Sequence, residues 1–173
     1  MNYFDSGRIR ELLHDLGSQA EARGLRLELA LAGGAALALL VSRQRTTKDI
    51  DVLVLPPGNA AIVRELAAAV ASAHDLPPDW LNDGMKGFLH GLALGAIAVE
   101  APGIVVRFLA VEQLLAMKLS AWRDDVDIDD AASLLALIAG GREEVWRRVE
   151  PFLVPGRELK ARYAFDDLWE SRP

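Results

Sequence analysis

The residues best suited to chemistry lie in the stretch RQRTTKDIDVLVLPPG, Arg43 to Gly58, where Asp49 and Asp51 occupy alternate positions at the mouth of an apolar run. Side chains at i and i+2 of a strand share a face, so the two carboxylates point the same way, roughly 6–7 Å apart at Cα. Like charges that close repel unless a cation sits between them. Hard oxygens on one side, with other positions open to water and phosphate, are the ligands Mg²⁺ takes. The bland alternative for a lone D-x-D is a solvated strand end. Upstream, Gly33 and Gly34 stand between a strand-like and a helix-like run. The absence of Cβ there lets a phosphate approach backbone N–H groups and the helix N-terminus, although a Gly-Gly pair is also an ordinary turn. Together the two features predict a phosphate cradle beside a metal site.

The elements that must position them follow from periodicity. Ile9, Leu12, Leu13, Leu16 and Ala20 predict a helix from Ser6 to about Arg23, stopped by Gly24. RLELAL, Arg26–Leu31, alternates as a strand with Leu25, Leu27, Leu29 and Leu31 on one face, and Ala35–Ser42 reads as a short buried helix. Asp49–Leu55 is a second strand closed by Pro56, Pro57 and Gly58, and a helix follows from about Asn59 to Ala73. Pro77–Gly91 reads as a loop with one helical turn, and Ala96–Glu100 and Ile104–Leu109 as strands joined at Pro102 and Gly103. From Val111 onward four helical segments are separated at Asp124–Val126, Gly140–Gly141 and Pro155–Gly156. The expected fold is α/β (α+β): a small mixed sheet with helices over residues 1–110, and a helical C-terminal region over 111–173 packed on it as one compact unit.

Composition bounds the function. A chain of 173 residues with 51% hydrophobic and 25% charged residues is a globular protein with a core of ordinary size. Net charge of -6 and a pI near 5.1 rule out a whole-surface basic field for nucleic acid or anionic membrane. With no cysteine, disulfides, thiolate zinc sites and cysteine nucleophiles are excluded. The start MNYFDSGRIRELL has no leader-like apolar region, and no charge-free apolar stretch of about 18 residues follows, so a cytoplasmic location without membrane contact is expected.

Lys118 shares a broad helical face with Leu114, Leu115 and Trp122. It is placed either to meet phosphate as a point charge or to snorkel to the surface. On the first reading, replacing it weakens a phosphate contact with little effect on stability. Asp127, Asp129 and Asp130 could cap the next helix. His14, His74 and His90 lack shared metal-ligand spacing and read as surface or loop histidines. Arg147, Arg148, Arg157, Lys160 and Arg162 alternate with Glu143, Glu144, Glu150 and Glu158, which reads as solvated helix faces rather than an RNA stripe.

LAGGAALALL followed by RTTKDIDVLV resembles the signature of the polymerase-β-like nucleotidyltransferase superfamily, a Gly-Gly or Gly-Ser turn followed by a D-x-D strand. The R-x-T-x-D-I-D spelling (Arg45, Thr47, Asp49, Ile50, Asp51) and MKLSAWRDDVDIDDAASLLAL are similar to AbiEii-type toxin nucleotidyltransferases and their uncharacterised relatives. The likeness covers about Leu29 to Leu137. It implies Mg²⁺ or Mn²⁺ on Asp49 and Asp51, and an NTP donor bound through Gly33, Gly34, Arg45, Thr47 and Lys118. It also implies catalytic contributions from Lys118, Asp127 and Asp130, with Arg123 between them, and a tRNA-like or protein acceptor; a toxin of this kind would pair with an antitoxin protein. One departure stands out: the strand expected to bring a third carboxylate reads GIVVRFLAV and has no acid, with Glu100 and Glu112 only flanking it. The rival expectation is an inactive nucleotidyltransferase-fold domain that binds a nucleotide or a protein partner.

Overall fold

The computed structural model describes residues 3–41, 44–122 and 125–172. Arg123, assigned above by resemblance, lies outside the described residues. An α+β fold forms in two compact units: the chain through Met85 together with Leu94–Phe108, and Lys86–Ala93 together with the chain from Leu109. Lys86–Ala93 groups with the helices rather than with the sheet. Gln113 is the reason. Its fully buried amide accepts from Ala93 N (2.7 Å) and donates to His90 O (3.2 Å) and Gly91 O (3.0 Å), which fixes this segment to the helix that carries it.

In the first unit α1 (Ser6–Glu21) starts at Asp5, whose carboxylate accepts from Arg8 N, and buries Ile9, Leu12, Leu13, Leu16 and Ala20. Then come β1 (Leu27–Ala32), α2 (Gly33–Leu40), β2 (Ile50–Val54), α3 (Ala60–His74), β3 (Leu81–Asn82), β4 (Leu94–Ala101) and β5 (Ile104–Leu109). The sheet order is β3-β2-β1-β5-β4. β1 runs antiparallel to β2, with Ala32 opposite Asp51, and parallel to β5, with Leu31 opposite Phe108. A central strand covered on both faces has no use for alternation, so all of β1 is buried except Glu28, and Leu25 falls before it. The segment Pro77–Gly91 is more ordered than its composition suggests: β3 pairs Leu81 with Ile50 and Asn82 with Asp51, and a 3-10 helix spans Gly84–Phe88. A two-residue strand built from turn-forming residues leaves no periodic signal.

The second unit contains α4 (Val111–Ala121), α5 (Asp125–Leu135), α6 (Arg142–Val149) and α7 (Glu158–Glu170), the four expected helical segments. No helix among the described residues is long and apolar enough to cross a membrane.

Gly17, in mid-helix, is buried because α1 packs onto the β4–β5 connection. A Cβ there would run into the Ile104 side chain and lie 2.7 Å from Pro102 O. Gly17→Ala gains helix propensity of roughly 1 kcal/mol, but overpacking costs about 1–3 kcal/mol. We therefore expect a net loss, read as a melting temperature lowered by roughly 2–8 °C. An unchanged or raised melting temperature would show slack between α1 and the sheet.

Candidate functional site

The end of β1, the start of α2, and β2 meet around two glycines. Gly33 has φ +62°, a left-handed conformation that a side chain resists, and a Cβ there would collide with the Asp51 carboxylate, 3.1 Å from Cγ. A Cβ on Gly34 would lie 2.6 Å from Thr47 Oγ1 and 3.0 Å from Thr47 Cβ. Helix α2 begins at Gly33, two residues earlier than expected, and its N-cap residue Ala32 provides no side-chain cap. The glycines are thus both the turn and the first residues of a helix whose N-terminus adjoins Asp51.

Thr47 fastens the segment that leads into β2. Its backbone pairs with Phe4 in both directions (2.7 and 3.0 Å), and its buried hydroxyl donates to Asp49 O (3.0 Å). Asp49 lies just before β2 and Asp51 within it; both are half-buried, as is Arg45. Ile50 and Val52 turn the other way into the core, as the alternation predicts, whereas Val54, expected with them, is only half-buried.

Asn82 was not predicted as a site residue. Its Nδ2 donates to Asp49 Oδ2 (3.1 Å) and to Asp79 O (3.3 Å), while its Oδ1 accepts from Gly84 N (2.8 Å). Register explains its position, because β3 places Asn82 directly opposite Asp51. The signal in sequence was N-D-G at residues 82–84, which reads as a turn because an Asn side chain commonly binds a backbone N–H two residues on. No Lys or Arg among the described residues is paired with Asp49. The donor set here is carboxylate oxygen, with an amide that orients it. On β5 the residues opposite Ala30 and Leu31 are Arg107 and Phe108, so that strand holds no third acid.

Lys118, Asp127 and Asp130 come together within the second unit. Lys118 Nζ lies 2.9 Å from Asp127 Oδ1 and 2.7 Å from Asp130 Oδ2, with side-chain exposures of 17%, 2% and 6%. The lysine does not snorkel. Burial by itself would depress its pKa, but hydrogen bonds to Asp130 and then Asp127, reinforced by their charge, hold the ammonium above its ordinary value. Asp129 is exposed and its carbonyl accepts from Ser133, so of the three acids it stands apart.

Two further readings change. Arg157 donates to Ser120 O (2.7 Å) and Lys160 to Ala121 O and Trp122 O (both 3.2 Å), capping the C-terminus of α4 instead of serving as a plain solvated face. His74 ends α3 and is held at both ring nitrogens. Arg8, which can only donate, contacts Nδ1 at 3.1 Å, leaving Nε2 to face Asp15 Oδ2 at 2.6 Å. Glu11, Asp15 and His74 place ligand atoms within 4.8 Å of one another, but Arg8 already brings a positive charge to Glu11 at 2.8 Å.

No protein-family model matches the chain, and no curated protein matches it. The family likeness therefore stands on the residues alone.

Two buried carboxylates around one ammonium make Lys118 a stability residue, contrary to the expectation that replacing it leaves stability unchanged. Lys118→Met removes the ammonium that both buried acids share and should cost about 3–5 kcal/mol. Because the folded pKa is raised, the contribution is complete below the ordinary value of 10.5 and is lost as pH rises through the higher folded value. Urea titrations of wild type and Lys118→Met at neutral pH and near pH 11 should therefore show a gap that narrows at high pH. A gap below about 1 kcal/mol at neutral pH would mean the pair behaves as a solvated surface bridge.

Proposed function

We propose that the protein is a nucleotidyltransferase that moves a nucleoside monophosphate from an NTP to a hydroxyl, releasing pyrophosphate. One observation carries this reading: Gly33 and Gly34 pack, without room for side chains, against Asp51 and Thr47 at the start of α2. Backbone at the start of a helix and the Asp51 carboxylate then adjoin one small volume. Half-buried hard oxygens from Asp49 and Asp51 suit Mg²⁺ or Mn²⁺, and the chain offers no thiolate that would select a softer ion. When bound, such an ion supplies charge neutralisation for the triphosphate and polarises the phosphoryl group under attack.

The chain's own groups have separable roles. Gly33 and Gly34 present N–H groups to phosphate oxygens at a helix N-terminus. Asn82 fixes the rotamer of Asp49 by donating to one of its oxygens, which leaves the other for the ion. Thr47 sets the backbone of Asp49 through its hydroxyl. In the reaction the acceptor oxygen forms a bond to the α-phosphorus as the bond to the bridging oxygen breaks; pyrophosphate departs and the hydroxyl proton passes to a base. Participation of Arg45, Lys118, Asp127 and Asp130, a tRNA-like or protein acceptor, and a toxin role opposed by an antitoxin all rest on the family resemblance. The acid-free β5 favours a second reading, a domain that binds a nucleotide or a protein partner without turnover.

Asp51→Asn and Asp49→Asn should each weaken Mg²⁺-dependent NTP binding about 10–100-fold, with the fold retained. Gly34→Val should do the same by filling the space beside Thr47. Equal affinities for all four proteins, with and without Mg²⁺ in calorimetry, would remove the metal and cradle roles together. Tight NTP binding by wild type without transfer of labelled nucleotide to total RNA or lysate protein would select the second reading.

A further inference from the structure

The two acids of the site are not held alike. Asp51 belongs to the sheet, paired with Ala32 of β1 on one side and with Asn82 of β3 on the other. Asp49 precedes the first residue of β2, so neither neighbouring strand fixes its main chain. Its carbonyl instead accepts from the Thr47 hydroxyl at 3.0 Å. Thr47 in turn is fastened by a residue ahead of α1: Phe4 N donates to Thr47 O (2.7 Å) and Thr47 N donates to Phe4 O (3.0 Å), an antiparallel bridge outside the named strands. In that register the next residues outward also face each other, and Lys48 Nζ lies 5.9 Å from the centre of the Tyr3 ring. Phe4 is anchored twice, because its side chain is buried and the next residue, Asp5, caps α1 by accepting from Arg8 N at 2.8 Å.

We propose that Phe4 is a positioning residue for the metal site, acting on Asp49 through Thr47 and leaving Asp51 in place. The inference rests on the reading of both acids as ligands of a divalent ion. Such an ion needs its two carboxylates at a fixed separation, and residues that orient ligands from behind contribute to affinity nearly as the ligands do. The Asn82 amide aims the Asp49 side chain but does not set where its main chain runs. Residues 44–49 form neither helix nor strand apart from the bridge at Thr47, so this stretch has no regular structure of its own to hold the acid. Phe4 supplies the missing anchor. Through it the place of Asp49 is tied to the core and to the start of α1, whereas the place of Asp51 is tied to the sheet.

The test is a double-mutant cycle on the full-length protein, with Mg²⁺-ATP affinity read by calorimetry. Phe4→Ala should weaken binding roughly tenfold in the wild-type background but less than about twofold in Asp49→Asn, where the ligand it positions is already gone. A merely structural role would give the same factor in both. Leu16→Ala, which empties an equally buried position in α1, controls for lost stability and should leave affinity unchanged. Phe4→Leu keeps the bridge and most of the buried bulk, so it should restore most of the affinity; if Phe4→Ala folds poorly, Phe4→Val takes its place. Without nucleotide, ¹⁵N relaxation should show the Lys48 and Asp49 amides more mobile in Phe4→Ala, with Asp51 and Leu53 unchanged. An equal loss of affinity in wild type and Asp49→Asn, or unaltered order at Lys48 and Asp49, would overturn the proposal. If wild type binds no Mg²⁺-ATP while Phe4→Ala still loosens Lys48 and Asp49 alone, the nucleotidyltransferase reading fails and the positioning of Asp49 by Phe4 stands.

Discussion

Asp51 and Thr47 can stand against the beginning of α2 only because residues 33 and 34 carry no side chain. Everything proposed for the first unit depends on that approach. A Cβ at either position would displace the Asp51 carboxylate or the Thr47 hydroxyl, and the latter fixes the Asp49 backbone. The positive φ of Gly33 also turns the chain from β1 directly into α2, leaving no connecting loop between sheet and helix N-terminus. Desolvating two acids at a strand mouth is costly, and proximity to a helix N-terminus and to the Asn82 amide offsets part of that cost.

A different constraint governs the second unit. Lys118 lies between two acids that are almost completely buried, which makes all three members interdependent. The same helix is anchored at other points by polar groups: Gln113 binds the Lys86–Ala93 segment, while Arg157 and Lys160 take up the carbonyls at its C-terminus. Trp122, which ends α4 in a left-handed conformation with φ +36°, sits at the centre of that cap. Basic residues that look like a surface stripe in one dimension are thus committed to backbone oxygens, and Arg162 is committed to Glu143 and Asp166.

Legibility in the sequence followed the range of the interactions. Helical periodicity in Ile9, Leu12, Leu13 and Leu16, alternation in β2, and the switch to continuous helix at Val111 are local signals, and the elements appear within one to three residues of where they were expected. The Gly33–Gly34 and Asp49–Asp51 pairs were legible because their residue types already state a steric and an electrostatic requirement. Asn82 was hidden because its contribution arises from a two-residue pairing with β2, a long-range event with no period of its own. Asp127 and Asp130 stand out by residue type but not as ion pairs of Lys118, because nine to twelve residues and a chain reversal separate them from it. The cap on α4 was hidden for the same reason.

The most direct measurement is paramagnetic: Mn²⁺ added to ¹⁵N-labelled protein in the presence of an NTP, with broadening read amide by amide. The account predicts that Gly33, Gly34, Asp51 and Asn82 broaden first, and that Asp51→Asn suppresses the effect. Broadening centred instead on Glu11, Asp15 and His74, or none at these four amides at saturating NTP, would contradict it.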